Sequence, residues 1–169
     1  MPLVLTDKDI AGLVPMSDYV QAMEKAYLEY GNGIAAIRPR QRYQVAIGED
    51  RYHLTNIIAG AVPGSGLSAV RLSSWPRLRK DPNKTKIVTG PGGWGFIVLF
   101  DLESGKLLAL LMDAVVSDMR VGATTGVALK RLTREDVSSV GIFGSGWQAR
   151  ANLEAICTVR KISRVKVYS

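Results

Sequence analysis

Residues 139–149 read Ser139-Val140-Gly141-Ile142-Phe143-Gly144-Ser145-Gly146-Trp147-Gln148-Ala149. The first five form an apolar run of the kind found in a strand buried on both faces. Gly144-Ser145-Gly146 is a tight turn, residues 147–158 carry amphipathic helical spacing, and residues 164–168 read as a second, β-branched strand. The turn has the pattern G-x-G-x-x-A. Gly144 permits the sharp exit from the strand, Gly146 lets a pyrophosphate approach the backbone, and Ala149 keeps the helix close to the sheet. The start of the helix then offers backbone N–H groups and the positive end of its dipole to the phosphates. An ordinary strand-to-helix turn can also contain glycine. Here a strand precedes it, a helix follows and a second strand comes at the expected distance, so a dinucleotide cradle is expected at Gly144, Ser145 and Gly146.

This fold places an acidic residue at the end of the second strand, where it takes the ribose 2′-hydroxyl. Counting along Val165-Lys166-Val167-Tyr168, that position is Ser169, the final residue. Serine does not repel a 2′-phosphate and can donate to it, which tilts the choice from NAD toward NADP. The chain is expected to stop before such a domain is complete, leaving apolar surface and strand edges uncovered.

Upstream the periodicities differ. Thr6-Asp7-Lys8-Asp9 resembles a capped helix start, and Ser17-Asp18 opens a longer helix whose apolar positions Val20, Met23, Ala26, Tyr27 and Tyr30 keep helical spacing until Gly31-Asn32-Gly33. Residues 41–47 and 52–58 read as strands about Gly48-Glu49-Asp50, and residues 67–74 as a third strand. Residues 75–93, punctuated by Pro76, Pro82, Gly90, Pro91, Gly92 and Gly93, read as a long loop. Residues 95–101 and 106–112 flank Leu102-Glu103-Ser104-Gly105 as a hairpin. A helix rich in small residues is expected from about Ser117 to Leu132.

Composition narrows the functional classes. The net charge is +7 over 169 residues, but the basic residues are dispersed and no cationic face is interleaved with stacking aromatics, which argues against nucleic acid. An anionic small molecule accounts for the charge as well. No apolar run approaches the roughly 20 residues of a membrane span, and no signal-peptide pattern opens the chain. The single cysteine, Cys157, fits a reducing cytoplasm and is expected to be a buried, inert thiol on its helix. No metal site is expected.

Three stretches in order carry a resemblance. Residues 99–114 contain Leu-Phe-Asp-Leu-Glu-Ser-Gly-Lys and then Met-Asp-Ala; residues 120–125 read Arg-Val-Gly-Ala-Thr-Thr; residues 141–149 close the set. Together they resemble the ornithine cyclodeaminase/mu-crystallin family over essentially the whole chain, corresponding to about the first half of a member. The resemblance implies a homodimer whose N-terminal α/β substrate domain is joined to a Rossmann domain binding NAD(H) or NADP(H). It also implies hydride chemistry at a carbon–nitrogen bond of an amino acid or imine.

By position, the resemblance implies that Arg120 lies between substrate carboxylate and cofactor; a helix-surface arginine is the alternative. A guanidinium suits such a carboxylate clamp. Arg42 matches a second carboxylate-binding arginine, with Arg38 and Arg40 close enough to compete for the role. Arg71 stands where most members carry a catalytic lysine; a guanidinium there can bind the substrate carboxylate or polarise a carbonyl, but it cannot exchange a proton as a desolvated amine can. Trp147 and Gln148 match the pair whose backbone meets the pyrophosphate. Thr55 is the candidate for a substrate-pocket contact, ahead of His53, which reads as a packed or edge-strand histidine. The family's catalytic aspartate would fall beyond Ser169.

The expected architecture is therefore α/β. A substrate and dimerisation domain of α+β type spans 1–118, and the first β-α-β of an incomplete Rossmann domain spans 119–169. The expected activity is that of an NAD(P)-dependent oxidoreductase on an amino acid or cyclic imine, inactive as the truncated chain alone. A non-catalytic, mu-crystallin-like ligand binder is the alternative.

Overall fold

A computed structural model describes residues 1–49, 51–78 and 94–169. The chain divides into two compact units, one of residues 1–6 and 32–113 and the other of residues 7–31 and 114–169.

The first unit is a seven-stranded sheet. In chain order its strands are β1 (Leu3–Leu5), β2 (Ala36–Ile37), β3 (Gln41–Ala46), β4 (Arg51–Val62), β5 (Leu67–Leu78), β6 (Trp94–Asp101) and β7 (Leu107–Met112). The spatial order is β1-β7-β6-β5-β4-β2, with β3 also paired to β4. Neighbours are antiparallel except β1, which runs parallel to β7 with Leu3 beside Ala109. The β6–β7 hairpin forms where its turn chemistry places it. Asp101 Oδ1 accepts from the Ser104 N–H at 2.7 Å and from Ser104 Oγ at 2.5 Å, and Gly105 takes φ +67°. Those two donors hold the Asp101 carboxyl below its ordinary range.

Two differences from the sequence reading have local causes. β1 has only three residues, too few to display a period of two. The loop expected from residue 75 begins later, because β5 continues to Leu78. Pro76 stands beside His53 on β4, while the pairing of β5 with β6 ends at Ser74 and Trp94. Beyond that point the described residues pair with β5 on one side only, where a residue lacking an N–H is tolerated. The rest of the expected loop, 79–93, and Asp50 of the first hairpin turn lie outside the described residues.

The second unit contains α1 (Asp7–Ile10), α2 (Met16–Gly31), α3 (Ala114–Leu132), β8 (Ser139–Phe143), α4 (Trp147–Val159) and β9 (Arg164–Tyr168). β8 and β9 are parallel, with Phe143 beside Tyr168. Met16, Val20, Ala123 and Ala155 form the core, with Met119, Val127 and Val159 packed around it. The small residues of α3 permit this packing. A Cβ at Gly122 would run into the carbonyl of Ala151, and one at Gly126 would come within 2.9 Å of Val20 Cγ2. Arg160 closes the C-terminal end of α3 by donating to the carbonyls of Leu129, Lys130, Thr133 and Arg134, as suits a cation at that end of a helix.

Cys157 corrects the sequence reading. Ala155 and Ile156 face inward, but the thiol one position further round α4 is exposed. No described helix is long and apolar enough to cross a membrane.

Candidate substrate face and cofactor turn

In the first unit one transverse row of the sheet is polar or side-chain-free. Arg42 on β3 stands opposite Asn56 on β4, Asn56 opposite Ser73 on β5, and Ser73 opposite Gly95 on β6. The Asp113 N–H, just past β7, donates to the Gly95 carbonyl at 3.0 Å. Successive strand residues point to opposite faces, so these side chains share one face with Arg71, two residues before Ser73. Asn56 and Ser73 are buried at 4% and 2% exposure.

One end of this row is a guanidinium, Arg42, and the other, Asp113, binds the guanidinium of Arg71. Arg42 is exposed, and its Nε donates to Asn56 Oδ1 at 2.7 Å. Arg71 Nε donates to Asp113 Oδ1 and Oδ2, both at 2.8 Å, and Nη2 donates to Oδ2 at 2.5 Å. The side-chain exposures of Arg71 and Asp113 are 23% and 7%. Gly95 makes this pair possible, because a Cβ there would lie 2.6 Å from Asp113 Oδ2.

Thr55 lies on the other face. It pairs in register with Ser74 on β5 and Tyr43 on β3. Its neighbour on that face, His53, places Nε2 at 2.8 Å from Ser74 Oγ and 3.3 Å from Thr55 Oγ1. The sheet thus brings Arg42 and Arg71 together and leaves Thr55 and His53 behind it. Asn56 escaped the sequence reading, and Asp113 entered it only within the Met-Asp-Ala stretch, with no site role. An asparagine in the middle of a strand of β-branched residues was the available signal for the first. For the second it was an aspartate closing an apolar strand.

The second unit carries the glycine turn. Gly144 adopts φ +96°, a conformation that disfavours any side chain, and its N–H donates to the Tyr168 carbonyl at 2.7 Å. Gly146 caps α4 with no side-chain hydrogen bond. Residues 144–147 are exposed, and a Cβ on either Gly144 or Gly146 would meet nothing within 4 Å. The helix start therefore faces open ground with its backbone donors accessible, which fits a pyrophosphate. Behind the turn, Gln148 Nε2 donates to Asp118 Oδ1 at 3.2 Å. Gln148 Oε1 is buried and takes no partner among the described residues. Asn152 Nδ2 donates to the Gln148 carbonyl at 2.8 Å and Asn152 Oδ1 accepts from Thr125 Oγ1 at 2.6 Å, so a hydrogen-bonded seam joins α3 to α4. Arg120 is half-buried on α3, its carbonyl accepting from Thr124 Oγ1 at 3.0 Å. Ser169 follows β9 and is exposed.

Comparison with known proteins points the same way. The model of the ornithine cyclodeaminase/mu-crystallin family matches residues 1–169. A putative dehydrogenase of Rhizobium meliloti is 31% identical over 168 residues, covering 98% of this chain and 48% of the relative. The Thermococcus litoralis Δ1-pyrroline-2-carboxylate reductase, solved with NADH and L-proline, is 32% identical with a TM-score of 0.79, covering 98% of this chain and 49% of that one. An archaeal alanine dehydrogenase dimer with bound NAD is 26% identical with a TM-score of 0.79, covering 99% of this chain and 48% of that one. The chain spans about half the length of the curated relatives it matches.

Proposed function

This chain belongs to the ornithine cyclodeaminase/mu-crystallin family, and on that footing we propose that it supplies the substrate-binding face and the pyrophosphate turn of an NAD(P)-dependent oxidoreductase. The reaction class is hydride transfer at a carbon–nitrogen bond of an amino acid or cyclic imine. The observation that carries this reading is the exposed glycine turn at the head of α4, open in front of both Gly144 and Gly146.

Nicotinamide, when bound, takes or delivers the hydride. The protein's own residues bind and orient. In this reading the backbone of residues 144–148 holds the pyrophosphate, and the Ser169 hydroxyl favours NADP by tolerating a 2′-phosphate. In the sheet unit Arg42 is the proposed carboxylate ligand, and in the helical unit Arg120 is proposed for that role on the family resemblance. Arg71, fixed by Asp113 and with its charge compensated there, serves as an orienting group for the substrate and exchanges no proton. Thr55, on the opposite face, has no part in this set. A homodimer in the cytoplasm is the proposed setting, in keeping with the archaeal alanine dehydrogenase dimer.

One observation favours a second reading, a mu-crystallin-like binder. Arg71 is held by Asp113 where most members have a lysine able to give up its proton. A screen of amino acids and cyclic imines against NADPH oxidation by the full-length protein separates the two. Turnover of at least one imino acid is expected. Cofactor binding without turnover of any would favour the binder, and no cofactor binding at all would overturn both.

A further inference from the structure

Asparagine is disfavoured in strands, and burying its amide is costly unless it is hydrogen-bonded. Asn56 nevertheless sits in the middle of β4 at 4% exposure, and its Oδ1 accepts from the Nε of the exposed Arg42, its cross-strand neighbour, at 2.7 Å. A contact through Nε stops rotation of the guanidinium about its stem. The two Nη nitrogens of Arg42 remain without a partner among the described residues. Asn56 is neutral, so the contact orients the cation without cancelling its charge. At the other end of the row the opposite holds: the carboxylate of Asp113 binds Arg71 through Nε and Nη2 and compensates its charge. Of these two guanidinium groups, Arg42 is the one held in place with its charge uncompensated.

We propose that Asn56 is a positioning residue that fixes Arg42 by its Nε, so that the paired Nη donors meet the carboxylate of an amino- or imino-acid substrate. This rests on the carboxylate role of Arg42 proposed above. A pre-oriented guanidinium loses less freedom on binding than a mobile one, so the expected consequence is tighter carboxylate binding rather than greater stability.

The test uses the full-length protein with arginine-selective nitrogen-15 labelling and L-proline as the carboxylate probe. In the wild type the Arg42 Nε–H signal, identified by its loss in Arg42→Lys, should be distinct and slow to exchange. Asn56→Ala should merge it with the mobile arginines and weaken L-proline binding about tenfold or more, with little change in melting temperature. Asn56→Asp retains the acceptor but neutralises the charge, so it should keep the signal and still lose affinity. An Asn56→Ala protein that keeps the signal, or that binds L-proline like the wild type, would overturn the proposal. A wild type with the restrained signal and no affinity for L-proline would overturn it at a different point, by removing the carboxylate role of Arg42 itself.

Discussion

Arg71 and Asp113 lie 42 residues apart in sequence, yet the Arg71 Nε rests 2.8 Å from each carboxylate oxygen of Asp113. Sheet pairing brings them together, and the missing side chain of Gly95 lets Asp113 lie across the neighbouring strand.

Removing the carboxylate takes a charged partner away from a three-quarters-buried guanidinium. A fully buried pair broken this way costs about 3–5 kcal/mol. The 23% exposure of Arg71 lowers the expectation to about 2 kcal/mol for Asp113→Ala, after allowance for solvent screening. Gly95→Ala should produce part of the same loss by displacing Asp113. Urea denaturation of both variants measures it, and a Gly95→Ala protein as stable as the wild type would contradict the close approach.

Substitutions in the glycine turn should separate folding from binding. Gly144→Ala forces a side chain into positive φ and is expected to cost about 1 kcal/mol or more. A Cβ at Gly146 meets nothing within 4 Å in the protein itself, so Gly146→Val should cost only the roughly 1 kcal/mol of a poorer helix cap. Its branched side chain would occupy the ground proposed for the pyrophosphate, so NADPH affinity, followed by fluorescence titration, should fall steeply.

The α3–α4 seam tolerates no added volume at its tightest point. Gly122→Ala sets a methyl against the Ala151 carbonyl, and overpacking of this kind costs about 1–3 kcal/mol. Thermal unfolding should register the loss, with a milder effect from Gly126→Ala, whose nearest neighbour is the Val20 side chain.

Acid should weaken one specific link between α2 and α3. Glu24 accepts from Lys130 Nζ and Arg131 Nε, both at 2.7 Å, and these partners hold its carboxyl below the ordinary value of 4.5. A carboxylate whose folded value is depressed stabilises the fold above its unfolded value, and that contribution disappears as the pH falls through the folded one. Exposed ion pairs contribute under about 1 kcal/mol. Glu24→Gln should therefore be slightly less stable than the wild type at neutral pH and equal to it in strong acid, as compared by parallel melts.

Cofactor choice should respond to the end of β9. Ser169→Asp places a negative charge where a 2′-phosphate would lie, and the preference of the full-length protein is expected to move from NADP toward NAD. Parallel titrations with NADH and NADPH test this; an unchanged ratio would remove Ser169 from the ribose site.

Much of the fold was legible because its signals are local. The Asp101-to-Gly105 turn is held by contacts within a few residues, and Gly144 is announced by the positive φ its turn needs, even though its N–H reaches the distant Tyr168 carbonyl. The small residues of α3 likewise announced a close helix contact. β1 was not legible at three residues, nor was the extension of β5 past a proline, since both depend on which strands lie alongside. The exposure of Cys157 depended on which side of α4 faces α3.

The candidate site divides along the same line. Sequence alone determined the family, the glycine turn and three arginines of interest, because motif order and glycine placement survive in one dimension. It could not determine which candidates share a face. Alternation along a strand is written in the sequence, but alternation between strands depends on register, and register is set by hydrogen bonds between residues far apart in the chain. Only the tertiary structure put Thr55 behind the sheet, paired Arg71 with Asp113 and set Asn56 under Arg42.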